Sequence, residues 1–160
     1  MKKTNSKYQL STPIGTALIE GNENGVEKIS VLSEAPPELI QDQELLEVGQ
    51  QLESYFKGDL KEFSFPIQPQ GTDFQQRVWK ALLSIPFGKT MSYLELSKQL
   101  GDLKAIRAVA SANGKNPLWI VVPCHRVIGS DGSLTGYAGG IWRKKWLLEH
   151  ESHAKQQSLF

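Results

Sequence analysis

Apolar residues in positions 8–32 form short patches separated by proline, glycine and asparagine. This pattern predicts a small region of strands and turns. Across positions 38–56 the apolar residues change to helical spacing, with glutamates and glutamines between them. That spacing predicts one amphipathic helix, which Gly58 and Asp59 terminate. The next prolines, Pro66 and Pro69, indicate an extended segment.

The second half of the chain contains two motifs that predict the start of a helix. Thr72–Gln75 and Ser92–Glu95 both match a capping box, in which a hydroxyl and a longer polar side chain satisfy the first free amides of a helix. Apolar positions predict a further short helix over 104–113. The short helices that meet at Gly101 and Asp102 resemble a helix-turn-helix.

The remaining apolar runs predict a wing and a final helix. Leu118–Val122 has the composition of a buried strand, and turn residues 130–132 predict a hairpin of Val127-Ile128 with Leu134-Thr135. This hairpin gives a winged helix-turn-helix. The last helix is expected over Ile141–His150. The predicted fold class is therefore α+β, with an N-terminal strand-and-helix domain over 1–65, a linker over 66–71 and a winged-helix domain over 72–160.

The distribution of charge supports a division of the chain near residue 70. Residues 1–70 hold 6 Lys and Arg against 11 Asp and Glu, whereas residues 71–160 hold 12 against 6. An acidic half joined to a basic half suggests contact with nucleic acid. On the predicted second helix, small alanines leave the backbone accessible, and Lys104, Arg107 and Lys115 supply charge. An ordinary helix with solvated cations would have the same composition.

Cys124 is the only cysteine, and it follows the apolar run at 118–122 directly. A lone cysteine is more often a small buried hydrophobic residue than a nucleophile. His125 beside it nevertheless provides a base for thiol chemistry. Because adjacent side chains of an extended segment point apart, sharing of a proton requires a turn after Pro123 or a bridging water. The single thiol, the polar start of the chain and the absence of a long apolar run favour a soluble, cytoplasmic protein with no membrane contact.

The segment Pro123-Cys124-His125-Arg126-Val127 allows a family to be named. Together with the preceding Asn116-Pro117 and the following Thr135–Gly140, it resembles the active site of the O6-alkylguanine-DNA alkyltransferases. The resemblance is strong over residues 72–151 and looser over the N-terminal region. It implies a ribonuclease-H-like N-terminal domain, and a monomer that acts on double-stranded DNA containing O6-alkylguanine.

The resemblance also implies roles for individual residues. Cys124 accepts the alkyl group irreversibly after base flipping, His125 acts through a water as its base, and Glu151 orients the imidazole. Tyr93 donates a hydrogen bond to guanine N3. Arg107 fills the space that the flipped nucleotide leaves. Asn116 either braces the helix-turn-helix or serves as a turn residue before Pro117. Further substrate or DNA contacts are expected from Lys104, Trp119, Arg126, Tyr137, Ala138 and Gly139.

Two further expectations concern what the protein lacks and what else it could be. The N-terminal region has no cysteine or histidine, so we expect no structural zinc, and no cofactor is implied. A winged-helix DNA-binding regulator with a redox-sensing cysteine is the main alternative. A cysteine hydrolase is a weaker one, because only the thiol and imidazole support it.

Overall fold

The protein was examined as a computed structural model, which describes residues 5–134 and 136–157, with side chains up to residue 152. It divides into two compact units. Residues 1–70 and 117–119 form the N-terminal unit, and residues 71–116 and 120–160 form the C-terminal unit. Among the described residues, no helix is both long and apolar enough to cross a membrane.

The N-terminal unit is built on a three-stranded antiparallel sheet in the order β1-β2-β3. The strands are β1 (Ser6–Thr12), β2 (Gly15–Asn22) and β3 (Gly25–Leu32). Gly15 and Gly25 open the second and third strands with φ angles of 127° and 150°, which only glycine adopts without strain. The strand-and-turn prediction for this region is confirmed.

Helix α1 (Leu46–Phe56) follows a 3-10 turn at Gln43–Leu45, so the helical part begins later than the predicted residue 38. Residues 38–42 are extended or bent instead, and Gln41 pairs with Tyr8 of β1. Gly49 is required inside α1, because a Cβ there would lie 2.2 Å from the Tyr8 ring. The glycine that looks unfavourable for a helix is therefore a packing residue.

Two distant segments complete the sheet of the N-terminal unit. Val26 exchanges backbone hydrogen bonds with Pro66 and Gln68, so part of the segment that the sequence assigns to a linker is bonded to β3. Ile29 of β3 bonds in the same way to Pro117 and Trp119. The chain thus returns to the N-terminal unit shortly before the candidate nucleophile.

The C-terminal unit opens with helix α2 (Asp73–Leu82), strand β4 (Met91–Ser92) and helix α3 (Tyr93–Gln99). Both predicted capping boxes are present at the starts of α2 and α3. Helix α4 (Ile106–Gly114) follows a 3-10 turn at Leu103–Ala105. Gly101 has a φ of 86° between α3 and α4, which supplies the turn of the predicted helix-turn-helix.

The predicted strand Leu118–Val122 is wrong. Only Leu118 forms a bridge, and Ile120 has a φ of 76°, which ends the extended conformation. Such a φ is strained for a β-branched residue. A short apolar run indicates that the segment is buried, and a compact turn can be buried as well as a strand can.

The predicted hairpin is also wrong in its pairing. Strand β5 (Val127–Ile128) pairs in parallel with β4, and Leu134 belongs to no strand. Thr135 lies outside the described residues. A bond from Gly129 N–H to the Ser133 carbonyl closes the intervening turn at 2.9 Å.

The last helix, α5 (Ile141–Gln157), continues beyond the predicted end at His150. No glycine or proline follows that would stop it. Glu151 is consequently a helical residue, buried within the C-terminal unit at 1% exposure.

Candidate active site around Cys124

Cys124 opens a 3-10 turn, Cys124–Arg126, directly after Pro123. Its backbone N–H donates to the Val122 carbonyl at 2.8 Å, and the residue is 4% exposed. The turn that proton sharing between Cys124 and His125 requires is therefore present.

His125 and Glu151 form a fully buried pair. Nε2 of His125 lies 2.8 Å from Oε2 of Glu151, and the side chains are 0% and 1% exposed. A carboxylate can only accept, so Nε2 carries the proton and Nδ1 keeps its lone pair. Nδ1 is buried and has no hydrogen-bond partner among the described residues. The imidazole is thus held in the tautomer that can take a proton at Nδ1.

Arg126 holds the same carboxylate from the other side. Its Nε donates to Oε1 of Glu151 at 2.8 Å and an NH2 group to Oε2 at 3.0 Å, while NH1 donates to the Ile85 carbonyl at 2.7 Å. The guanidinium is buried, and all three of its nitrogens are engaged inside the unit. The expectation that Arg126 binds DNA therefore does not fit the geometry, which makes it a positioning residue for Glu151.

The environment of Glu151 keeps it ionised. Burial by itself would raise its pKa, but the charge and hydrogen bond of His125, together with those of Arg126, lower the pKa well below its usual range. A permanently charged carboxylate stabilises an imidazolium at His125. Glu151 therefore favours the addition of a proton to the His125 imidazole.

Cys124 has the opposite electrostatic environment. Burial raises the pKa of its thiol to about 11, although a hydrogen bond from the Asn116 side chain and the charge of Lys144 both act to lower it. The resting thiol is thus neutral and needs a base. Asn116 also donates to the Val122 carbonyl at 2.7 Å, so it ties the end of α4 to the turn that carries Cys124.

A groove of about 560 Å³ lies in the C-terminal unit. It brings together four of the predicted site residues: Tyr93, Arg107, Tyr137 and Ala138. Ile106, Ala110, Gly114 and Gly136 complete its lining. Helices α3 and α4 thus face the loop at 136–138 across an open space that is mostly lined by apolar and small residues.

Besides Arg126, three predicted contact residues do not line this groove. Lys104 is exposed in the 3-10 turn before α4, whereas Gly139 is buried. Trp119 belongs to the N-terminal unit, where its backbone N–H bonds to Ile29. The expected contact of Trp119 with the substrate or DNA stays a prediction.

Three buried polar residues at the site escaped the sequence reasoning. Asn113 contacts both Tyr93 and Cys124, Arg143 donates to the Gly139 carbonyl at 2.9 Å, and Lys144 donates to the Val127 carbonyl at 2.6 Å. Arg143 and Lys144 occupy the first turn of α5, where the helix dipole disfavours cations. Two cations at this unfavourable position could have indicated, from the sequence alone, that these side chains bond inside the protein.

No group of three or more histidine, cysteine, aspartate or glutamate side chains is arranged to hold a metal ion in the part of the chain that the structure describes. The side chains described above supply a buried thiol, an imidazole and hydrogen-bond donors.

Both halves of the chain match family models. Residues 6–69 match "6-O-methylguanine DNA methyltransferase, ribonuclease-like domain" and residues 73–153 match "6-O-methylguanine DNA methyltransferase, DNA binding domain". A methylated-DNA–protein-cysteine methyltransferase of Methanosarcina barkeri is 45% identical over 150 residues, covering 90% of this chain and 95% of that protein. One from Mycobacterium bovis is 61% identical over 101 residues, covering 63% of this chain and 61% of that protein.

Solved structures agree with these matches. The crystal structure of the O6-methylguanine methyltransferase of Mycobacterium tuberculosis has a TM-score of 0.85 at 44% identity and covers 94% of each chain. A structure of Mycobacterium tuberculosis OGT in complex with DNA has a TM-score of 0.85 at 45% identity, and covers 93% of this chain and 94% of that one.

Proposed function

The chain belongs to the 6-O-methylguanine DNA methyltransferase family, and on that premise we propose that it repairs O6-alkylated guanine in DNA by direct reversal. It transfers the alkyl group irreversibly to Cys124 and is consumed in the process, as a methylated-DNA–protein-cysteine methyltransferase. The resemblance and the α+β fold class predicted from the sequence are confirmed. The observation that carries the proposal is the buried Cys124-His125 turn, in which Glu151 bonds to one imidazole nitrogen and the other nitrogen has no partner among the described residues.

The first step removes the thiol proton. With a pKa of about 11, roughly one thiol in ten thousand is ionised at pH 7. Nδ1 of His125 takes the proton through one water molecule, and Glu151 stabilises the imidazolium that forms. Arg126 keeps Glu151 in place while the charge develops.

The second step is an in-line displacement at the alkyl carbon. A bond forms between Sγ of Cys124 and that carbon, while the bond from carbon to O6 breaks and leaves its electron pair on guanine. Tyr93 donates a hydrogen bond to N3 and so stabilises the anionic leaving group. The proton lost by the thiol balances the proton that guanine finally gains. Because the product is a thioether, nothing regenerates the thiol.

The target base must leave the duplex before this reaction. A stacked guanine cannot bring O6 to a thiol that is 4% exposed. Arg107 is exposed on α4 at the edge of the groove, next to exposed alanines at 108 and 110. We assign to Arg107 the space that the flipped nucleotide vacates, and to Tyr137, Ala138 and Gly139 the loop that closes over the base.

The surrounding roles follow from the same proposal. Lys104 contacts phosphate from the turn before α4, and Asn116 braces the reactive turn. The protein acts as a monomer in the cytoplasm, where a reducing environment keeps its single thiol free. We assign to the N-terminal domain the role of supporting the fold.

Mass analysis of the intact protein and its peptides tests this function. The protein is mixed with one equivalent of duplex containing O6-methylguanine, and undamaged duplex serves as the control. We expect one methyl group on the peptide with Cys124, formed only with damaged DNA and stable to reductant.

A matched variant, Cys124→Ser, should bind both duplexes nearly as well as the wild type and gain no methyl group. Methylation of that variant, or an unmodified Cys124 in wild type that binds DNA tightly, would contradict the proposal. Modification that reductant reverses would favour a redox-sensing regulator.

A further inference from the structure

Asn113 joins three parts of the C-terminal unit. It lies in α4 at 2% exposure, and its Nδ2 is 3.4 Å from Oη of Tyr93 at the start of α3 and 3.4 Å from the carbonyl oxygen of Cys124. Both contacts are at the long end of hydrogen-bond range, as is common at a reaction site before substrate binds. One amide group therefore contacts both the reactive turn and the Tyr93 hydroxyl.

The carbonyl of Cys124 fixes the direction of the Asn113 amide. A carbonyl oxygen only accepts, so the NH2 group and not Oδ1 must face it. The same NH2 has a second hydrogen, which it directs to Oη of Tyr93. Oη accepts from Asn113, and hence its own hydrogen must point elsewhere.

The other end of the Asn113 side chain is unsatisfied. Oδ1 is buried and has no hydrogen-bond partner among the described residues. A buried unpaired amide oxygen destabilises a fold, and an apolar residue of the same shape would avoid that penalty. Packing alone thus gives no reason for an amide at this position.

We propose that Asn113 is a positioning residue for the transfer reaction, which turns the Tyr93 hydroxyl hydrogen into the groove toward N3 of the flipped guanine. The inference rests on the proposed function and assigns a further residue to it. Oη of Tyr93 receives a hydrogen bond from Asn113 and donates one to the leaving group, and the two bonds reinforce each other.

Asn113 also makes the Tyr93 hydroxyl more acidic, and therefore a better hydrogen-bond donor. Burial raises the pKa of its hydroxyl, and the hydrogen bond from Asn113 acts to lower it. Nζ of Lys144 lies 5.9 Å from the centre of the Tyr93 ring. Without Asn113 the hydroxyl becomes a weaker donor and loses its fixed orientation.

Single-turnover rates with two substrates test the inference. Asn113→Leu keeps the shape of the side chain and removes the amide. On duplex O6-methylguanine it should react about tenfold more slowly than wild type, the effect of losing one hydrogen bond. On O6-methyl-3-deazaguanine, which has a CH group in place of N3, the variant and the wild type should react at the same rate.

A double-mutant cycle with Tyr93→Phe gives a second readout. The double variant should be no slower than Tyr93→Phe alone, because Asn113 acts through the Tyr93 hydroxyl. Equal slowing of Asn113→Leu on both substrates, or losses that add in the double variant, would overturn the inference and leave Asn113 a structural residue.

Two further variants keep the result interpretable. Should Asn113→Leu fail to fold, Asn113→Ser retains a shorter donor, and its loss should be smaller and confined to the substrate with N3. Ser97→Ala is the matched control, because Ser97 Oγ is also buried and without a partner among the described residues, and its rates should equal those of wild type. Absence of methyl transfer in the wild type itself would instead refute the proposed function.

Discussion

At the scale of single residues, the site depends on Glu151. This one carboxylate accepts hydrogen bonds from His125 and two from Arg126 while it is 1% exposed. Burial of a charge is tolerable only when partners replace the lost water, and here three donors do so. Arg126 holds the carboxylate with two hydrogen bonds, and His125 bonds to it through Nε2.

Glu151→Gln should therefore impair both stability and reaction. The free energy of unfolding should fall by about 3–5 kcal/mol, because the Arg126 charge is left buried without its partner. Methyl transfer should slow roughly a hundredfold, because the imidazolium loses its counter-charge. Denaturant titration and single-turnover kinetics measure these effects.

The pH dependence of stability gives a check with a definite sign. The pKa of Glu151 is lower in the folded protein than the roughly 4.3 of an unfolded glutamate. Its contribution is therefore present above about pH 4.3 and is lost as the pH falls below that value. Between pH 6 and pH 3, Glu151→Gln should lose less stability than wild type does, because the variant has no carboxylate at this position to protonate. Parallel curves for the two proteins would show that Glu151 has no coupled partner.

At the scale of elements, α4 differs from an ordinary surface helix. Its exposed face combines Arg107 with small residues at 108, 110 and 111, and the neighbouring Ile106 is 37% exposed. Small side chains let a helix backbone approach another surface closely. A single long cation among them is suited to enter the space left by an extruded base.

Arg107→Ala should separate flipping from chemistry. The rate with duplex O6-methylguanine should fall by about a factor of ten or more, since flipping is no longer stabilised, while the rate with the free O6-methylguanine base should change little. Quantification of methylated protein by mass measures both rates.

Arg77→Ala is the matched control for this prediction. Arg77 is an exposed arginine on α2 that donates to the Leu100 carbonyl and does not line the groove. Its removal should leave both rates unchanged. Equal losses on the two substrates in Arg107→Ala would mean that Arg107 has no role in flipping.

At the scale of the whole molecule, the two halves of the chain differ in charge. The net charge is −5 over residues 1–70, which hold 6 Lys and Arg and 11 Asp and Glu. It is +6 over residues 71–160, which hold 12 and 6 of these. Arg126, Arg143 and Lys144 are buried, so part of the positive charge serves the interior of the C-terminal unit. The exposed remainder, which includes Lys104, Arg107 and Lys115, is available to phosphates.

DNA affinity should therefore fall steeply with salt. Each phosphate contact contributes a slope of about −0.9 to log K against log salt concentration. Lys104→Ala should reduce the slope by about one and weaken binding to damaged and undamaged duplex equally. Lys57→Ala, which removes an exposed cation paired with Glu53 in the acidic half, should leave the slope unchanged. Binding that is insensitive to salt would contradict a phosphate-facing role for the basic half.

The sequence by itself determined what depends on neighbouring residues. Both capping boxes, the end of α1 just before Gly58 and the turn after Pro123 follow from local rules, because the groups that bond are within about four residues of each other. The Cys124 motif gave the family, since its residues are contiguous. Roles assigned to Tyr93 and Arg107 by resemblance agree with their shared position on the groove, and they stay predictions until the rates are measured.

Only the tertiary structure decided the contacts between residues far apart in the chain. The parallel pairing of β4 with β5, the Arg126–Glu151 bond and the two contacts of Asn113 join positions 11 to 36 residues apart. The pattern of apolar residues indicates which segments are buried, but not which segments they pair with. For this reason Leu118–Val122 was predicted as a strand, although the chain turns at Ile120. Hydrogen-bond partners of buried polar groups are chosen when distant segments pack, which is why Arg126 proved to be an interior residue.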